Sequence, residues 1–225
     1  MSESRKYYEA YDDRYRQVHG ENLRWFAESP SPIVSEIIAE FALDPLAIIL
    51  EIGCGEGRDA AYLLERGFDL LATDISSEAI FWCVGRYPEY AAHFRTLDCI
   101  ADRLDMKFDF IYAVAVLHML VRDEDRDGFY AFLREQLSEG GIALICTMGD
   151  GESERQSDIE AAFQLQERTH EETGKTLRIA GTSYRAVSFE TFTAELERNG
   201  LTVVRLGMTS VEPDYGAMMY DVVKR

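Results

Sequence analysis

Between positions 51 and 59 the chain reads EIGCGEGRD, with glycines at 53, 55 and 57, an acid two residues before the first and an arginine after the last. Glycines so spaced let a backbone approach a ligand closely and take conformations that a Cβ forbids. Two phosphate-binding patterns fail on spacing. A GxxxxGK[ST] loop needs a lysine after its last glycine, where Arg58 and Asp59 stand. The dinucleotide pattern GxGxxG, counted from Gly53 and Gly55, places its third glycine at Arg58. Glu51 supplies the chemical reason: a carboxylate beside a helix N-terminus repels a pyrophosphate and suits an ammonium or sulfonium cation.

Two further acids extend this constellation. Asp74 closes the apolar run FDLLATD and can accept two hydrogen bonds from ribose hydroxyls. Asp98, in TLDCIAD, offers an acceptor for an exocyclic amine such as that of adenine. Cation, ribose and amine together describe S-adenosylmethionine. A glycine-rich turn that serves packing alone is the alternative.

These residues must be positioned by alternating strands and helices. Apolar runs at 47–53, 68–74, 93–98, 108–116 and 141–149 are separated by crossover-length segments, the last of them an amphipathic helix over 123–137. The pattern predicts a doubly wound α/β sheet, mostly parallel, with strands covered on both faces. The end of the chain breaks the rhythm. A helix over 188–200, capped by Ser188 and stopped by Gly200, precedes two runs, 201–208 and 216–224, joined by only a turn, and so antiparallel. Residues 1–43 form a helical cap broken at ESPSP, and polar residues 150–187, with a hairpin around ETG, are an insertion after the fifth strand. A single domain over 1–225 is expected.

The run LEIGCGEGRD with LLATDIS, TLDCIAD, FDFIYAVAVLHML and SEGGIALI resembles class I S-adenosylmethionine-dependent methyltransferases, over residues 30–149 by motif and 188–225 by the helix and reversed hairpin. GRD and the following helix look most like the small-molecule branch of tellurite-resistance and thiopurine-type enzymes. The resemblance implies a seven-stranded Rossmann-like sheet. It implies that Glu51, Gly53, Gly55 and Gly57 surround the methionine part of S-adenosylmethionine and that Asp74 holds its ribose. Ile75 would line the adenine, Asp98 and the backbone of Cys99 would meet its edge, and the backbone of Ala113 would meet the amino group. Arg58 either reaches the cofactor carboxylate or pairs with Asp59 or Glu56.

The methyl acceptor is less defined. His118, just past the fourth strand, is the first candidate for a general base, or a loop histidine bonded to backbone. Tyr7, Tyr11 and Tyr15 recur every four residues and, with Trp25, form either core or a lid over the sheet edge. His19 and Arg16 are further candidates in that lid, and Tyr184 and Arg185 are candidates for substrate choice in the insertion. The sequence after the fourth strand contains no [DN]PP[YF], no acid at 114–117 for a catechol-type magnesium site and no glutamate pair at 114–122. The expected function is therefore methyl transfer to a small molecule by in-line displacement. The alternatives are a non-catalytic binder of the cofactor and an enzyme using a modified form of it.

Composition narrows the partners. Against 23 Lys and Arg stand 41 Asp and Glu, a net charge of -18, so the average surface repels nucleic acid. The four cysteines at 54, 83, 99 and 146 are too scattered for a zinc site, and no metal is expected. No apolar run reaches the roughly 18 residues of a membrane span. The charged N-terminus lacks the features of a signal peptide. A cytoplasmic monomer or homodimer with no membrane partner is expected.

Overall fold

The computed structural model describes residues 5–26, 28–170 and 173–225. Its organising feature is a seven-stranded sheet in the order β10-β11-β5-β4-β1-β2-β3. The strands are β1 (Ile48–Ile52), β2 (Asp69–Asp74), β3 (Phe94–Thr96), β4 (Phe108–Val114), β5 (Leu137–Met148), β10 (Thr202–Val211) and β11 (Tyr215–Lys224). Only β11 runs against the others, paired antiparallel with both β5 and β10. The doubly wound architecture and its reversed hairpin are as the sequence predicted.

Alternate residues of each strand feed two apolar layers, as strand pleating requires. Leu50, Ile52, Ile111, Ala113 and Ile145 face one layer, completed by α5 (Asp123–Gln136) and α6 (Phe189–Arg198). Ile49, Phe110, Tyr112, Leu144 and Cys146 face the other, covered by α2 (Pro32–Glu40), α3 (Arg58–Leu64) and α4 (Ser77–Arg86). The helices start where the chain provides caps. The Ser76 hydroxyl accepts from Ala79 N at 3.1 Å, the Ser188 hydroxyl accepts from Thr191 N at 3.2 Å, and Pro32 occupies the first turn of α2.

Two strands stop earlier than their apolar runs, and the reasons are local. The β3 strand ends at Thr96 because the Asp98 carboxylate turns the chain, accepting from Ile100 N and Ala101 N. The β4 strand ends at Val114 because Ala115 adopts a left-handed conformation, φ 59°.

The N-terminal cap begins with a 3-10 turn (Tyr7–Glu9), followed by α1 (Ala10–His19). The segment 150–187 forms two small ladders, β6 (Arg155–Gln156) with β9 (Arg185–Ala186) and β7 (Leu165–Thr169) with β8 (Thr176–Ala180). It packs on α1: Leu177 and Ile179 meet Val18, and Arg14 donates twice to Ala180 O, at 3.1 and 2.9 Å. Among the described residues, no helix is long and apolar enough to cross a membrane.

Candidate active site

At the carboxyl end of β1 the three glycines each take a left-handed conformation, with φ of 74° at Gly53, 52° at Gly55 and 80° at Gly57. Two also lack room for a side chain on the sheet edge. A Cβ at Gly53 would lie 2.3 Å from Val116 Cγ2, and one at Gly55 would lie 2.7 Å from the Tyr15 hydroxyl. Gly53 N and Cys54 N both donate to Thr73 O, tying the loop to the end of β2. There the buried Asp74 carboxylate accepts from Gly55 N at 2.9 Å and from Ser76 N at 2.8 Å. Burial pushes this acid up to about 6, against the lowering effect of those two donors.

Glu51 is buried at the other side of the loop, and its Oε2 has no hydrogen-bond partner. Burial raises it well above the ordinary carboxylate range, and the neighbouring Asp59 charge adds to the rise. A buried carboxyl oxygen without a partner costs free energy until a donor reaches it. That donor has a place to come from, because Glu51 lines a cavity along the carboxyl edge of the sheet. This is the crevice in which doubly wound sheets take ligands.

Glu51, Gly53, Gly55, Asp74 and Ile75 form one wall of the cavity, with Asp98 and Cys99 at one end. The chain leaving β4, Val114 to Val116, forms a second wall, and Tyr8, Tyr11, Tyr15 and Phe26 of the N-terminal segment form the roof. The roof is anchored by charge-assisted bonds. Glu56 accepts from Trp25 N at 2.8 Å and Phe26 N at 2.9 Å, and lies 3.0 Å from His19 Nε2. His19 stacks on Trp82 with ring centroids 4.1 Å apart. Asp12 accepts from the Ser76 hydroxyl and Glu78 N.

The loop after β4 is held from beneath by a buried ion pair. Arg126 donates to both oxygens of Glu195 and to Leu117 O and Leu120 O, while Tyr130 donates to Glu195 at 2.7 Å. Such a pair is costly to break from one side only.

Of the residues singled out in the sequence, Glu51, Gly53, Gly55, Arg58, Asp74, Ile75, Asp98, Cys99, Tyr11 and Tyr15 line this one cavity. Others do not. Gly57 packs away from it, against Cys83, Tyr87 and Phe94. Ala113 stops one residue short of the wall. Arg58 pairs with Asp214 at 2.6 Å rather than with either neighbour considered for it. His118 corrects the expectation of a base at the sheet edge: it is buried outside the cavity, its Nδ1 has no partner, and burial depresses it to about 3.

The four-residue tyrosine face also fails at its first member. Tyr7 lies in the 3-10 turn, donates to Asp125 at 2.6 Å and accepts from Val121 N; Tyr8 lines the cavity in its place. Trp25 and His19 anchor the roof from outside the cavity. Arg16 lies on the surface, paired with Asp12 and Asp13. Tyr184 sits against His118, with ring centroids 6.0 Å apart, and Arg185 donates to Val121 O at 2.8 Å, so both brace the loop after β4. Phe26, Trp82, Tyr87 and Tyr215 line the cavity although the sequence reading did not select them for it. Of these, only Trp82 lies within a helix, and isolated aromatics of this kind produce no periodic signal.

A family described as a methyltransferase domain matches residues 24–206. No curated protein matches the chain. Among solved structures, an S-adenosylmethionine-dependent methyltransferase from Clostridium acetobutylicum is 16% identical with a TM-score of 0.65, covering 93% of this chain and 95% of its own. A TehB-like methyltransferase from Corynebacterium glutamicum is 20% identical with a TM-score of 0.58, covering 96% of both chains. The 1,6-didemethyltoxoflavin-N1-methyltransferase of Burkholderia thailandensis, with bound 1,6-didemethyltoxoflavin and S-adenosylhomocysteine, is 20% identical with a TM-score of 0.68, covering 96% of this chain and 87% of that one.

Proposed function

The chain belongs to the methyltransferase-domain family and is an S-adenosylmethionine-dependent methyltransferase, and from this premise we propose that it methylates a small molecule enclosed beneath the N-terminal segment. The observation that carries the site assignment is the pair of buried acids at the two ends of one glycine loop. The unpartnered Glu51 Oε2 suits the ammonium of the methionyl part, and Asp74 suits the ribose hydroxyls. Ile75 and Cys99 would flank the adenine, with Asp98 at its edge.

When bound, the cofactor supplies an activated methyl group on a sulfonium. The chain's own task is then to hold an acceptor atom in line with that carbon and to exclude water. The roof residues Tyr11, Tyr15 and Phe26 support this reading, since they close the crevice over the sheet edge. The bound ligands of the Burkholderia neighbour support a small-molecule acceptor by analogy of fold.

The test is calorimetric titration with S-adenosylmethionine, S-adenosylhomocysteine and NAD. Binding of the first two, weakened about 10- to 100-fold in Asp74→Ala, is expected for a lost pair of hydrogen bonds to a charged acceptor. Binding of NAD alone, or an Asp74→Ala variant with unchanged affinity, would discard the assignment. Ribose hydroxyls favour the ionised acid, so binding should release protons near pH 6, visible as a buffer-dependent heat.

A further inference from the structure

Beyond the acids and glycines, the walls of the cavity are rich in aromatic side chains. Tyr11, Tyr15, Phe26, Trp82, Tyr87 and Tyr215 reach it from five separate places in the chain. Phe26 and Tyr215 lie with ring centroids 5.8 Å apart, and Tyr11 and Tyr15 6.1 Å apart. Aromatic walls of this kind select flat ligands, which gain by stacking and edge contacts beyond simple burial.

Charge selects further. Each arginine lining the cavity is already committed to a carboxylate: Arg58 to Asp214 at 2.6 Å, Arg86 to Glu28 at 2.8 Å and Arg24 to the same Glu28. Glu28 and Glu56 also line the cavity, and no lysine does among the described residues. An anionic acceptor would enter against these charges with no uncommitted cation to receive it. A neutral one enters freely.

The hydroxyls of Tyr11, Tyr15 and Tyr215 make no hydrogen bond among the described residues, although Tyr15 is almost wholly buried. Burial raises Tyr15 and Tyr215 well above the ordinary phenol range, so both keep their protons and act as donors. Among the described residues, no histidine lines the cavity to remove a proton from the acceptor.

We propose that the acceptor is an uncharged, planar nitrogen heteroaromatic, stacked among Tyr11, Phe26 and Tyr215 and hydrogen-bonded by the tyrosine hydroxyls. This rests on the methyltransferase reading and names the substrate class for the same site. A neutral ring nitrogen carries its own lone pair and needs no base. That pair forms the new N–C bond as the C–S bond breaks, and the bonding electrons go to sulfur. The positive charge passes from sulfur to the methylated ring, where the acidic cavity and aromatic faces stabilise it. The reacting nitrogen is the pyridine-type one, whose lone pair lies in the ring plane and which carries no hydrogen to lose.

The experiment uses the full chain saturated with S-adenosylhomocysteine at neutral pH, titrated with 4-methylquinoline and with quinoline-4-carboxylate. The neutral probe is expected to bind at least about 10-fold tighter than the anionic one, a difference of about 1.4 kcal/mol. Tyr215→Ala, which loses ring and hydroxyl, should weaken the neutral probe by about the same factor, and Tyr215→Phe, which keeps the ring and loses only the hydroxyl, by less. A single cooperative thermal unfolding transition in both variants reports an intact fold. Equal or tighter binding of the carboxylate, no binding of the neutral probe, or indifference to Tyr215→Ala would overturn the proposal and leave the cofactor assignment standing. Failure of S-adenosylhomocysteine itself to bind would overturn both.

Discussion

At the scale of single residues, the site combines a steric and an electrostatic demand. A methyl group at Gly55 meets the Tyr15 hydroxyl at 2.7 Å and must be borne on a backbone with φ of 52°. Gly55→Ala should therefore lose roughly 1–3 kcal/mol of stability and weaken cofactor binding. Adding Tyr15→Phe removes the obstructing oxygen and should restore part of that loss in thermal unfolding. A double variant no more stable than the single would refute the contact. Asp221 presents the opposite case, because it is fully buried in β11 and neither oxygen has a partner. Burial pushes it up to about 7, from an ordinary value of 3.8. The folded chain thus binds more protons than the unfolded one between these values. Its contribution to stability falls as pH rises from about 4 to about 7, by at most about 1.4 kcal/mol per unit. Asp221→Asn should flatten the melting temperature across that window, and an unchanged profile would show that the acid is solvated. Glu51, Gly53, Gly55 and Asp74 could be selected from sequence because two adjacent strand ends place them together. His118 is depressed by burial and by the charges of Arg126 on α5 and Arg14 on α1, and the last of these lies far away in the chain, where no local pattern reports it.

Among elements, the N-terminal segment is the one whose attachment matters most for the site. Its roof position rests on Glu56, which holds Trp25 N, Phe26 N and His19 at once. Replacing Glu56 with Ala leaves two backbone donors without their acceptor, at about 1–3 kcal/mol each when buried. Hydrogen exchange over residues 20–28 should quicken at least about 10-fold, with little change in the β1 or β4 strands. Equal acceleration throughout the sheet would mean that the carboxylate supports the whole fold instead. The insertion shares this work, since β8 clamps α1 through Arg14 and the Gln17 side chain, which accepts from Ala180 N at 2.6 Å. Sequence reading located both segments but assigned the tyrosines to one helical face. The 3-10 turn at Tyr7–Glu9 rotates Tyr7 away and brings Tyr8 to the cavity, a change of phase that four-residue spacing cannot reveal.

For the whole molecule, a net charge of -18 makes self-repulsion a standing cost of compactness. Raising ionic strength to about 0.3 M should screen it and lift the melting temperature by a few degrees. A fall on adding salt would show that the ion pairs outweigh the repulsion. By itself the sequence determined the succession of parallel strands and the reversed hairpin, the glycine loop, the acids beside it and the family to which these belong. Those features are legible because strand pleating, turn chemistry and crossover length act over a few residues at a time. Only the tertiary structure decided which side chains share the cavity: it excluded His118 and Gly57, committed Arg58 to Asp214 and drew Phe26 and Tyr215 together from opposite ends of the chain. The physical reason is that burial and pairing depend on contacts between distant segments, and these are set by how helices and loops close over the sheet.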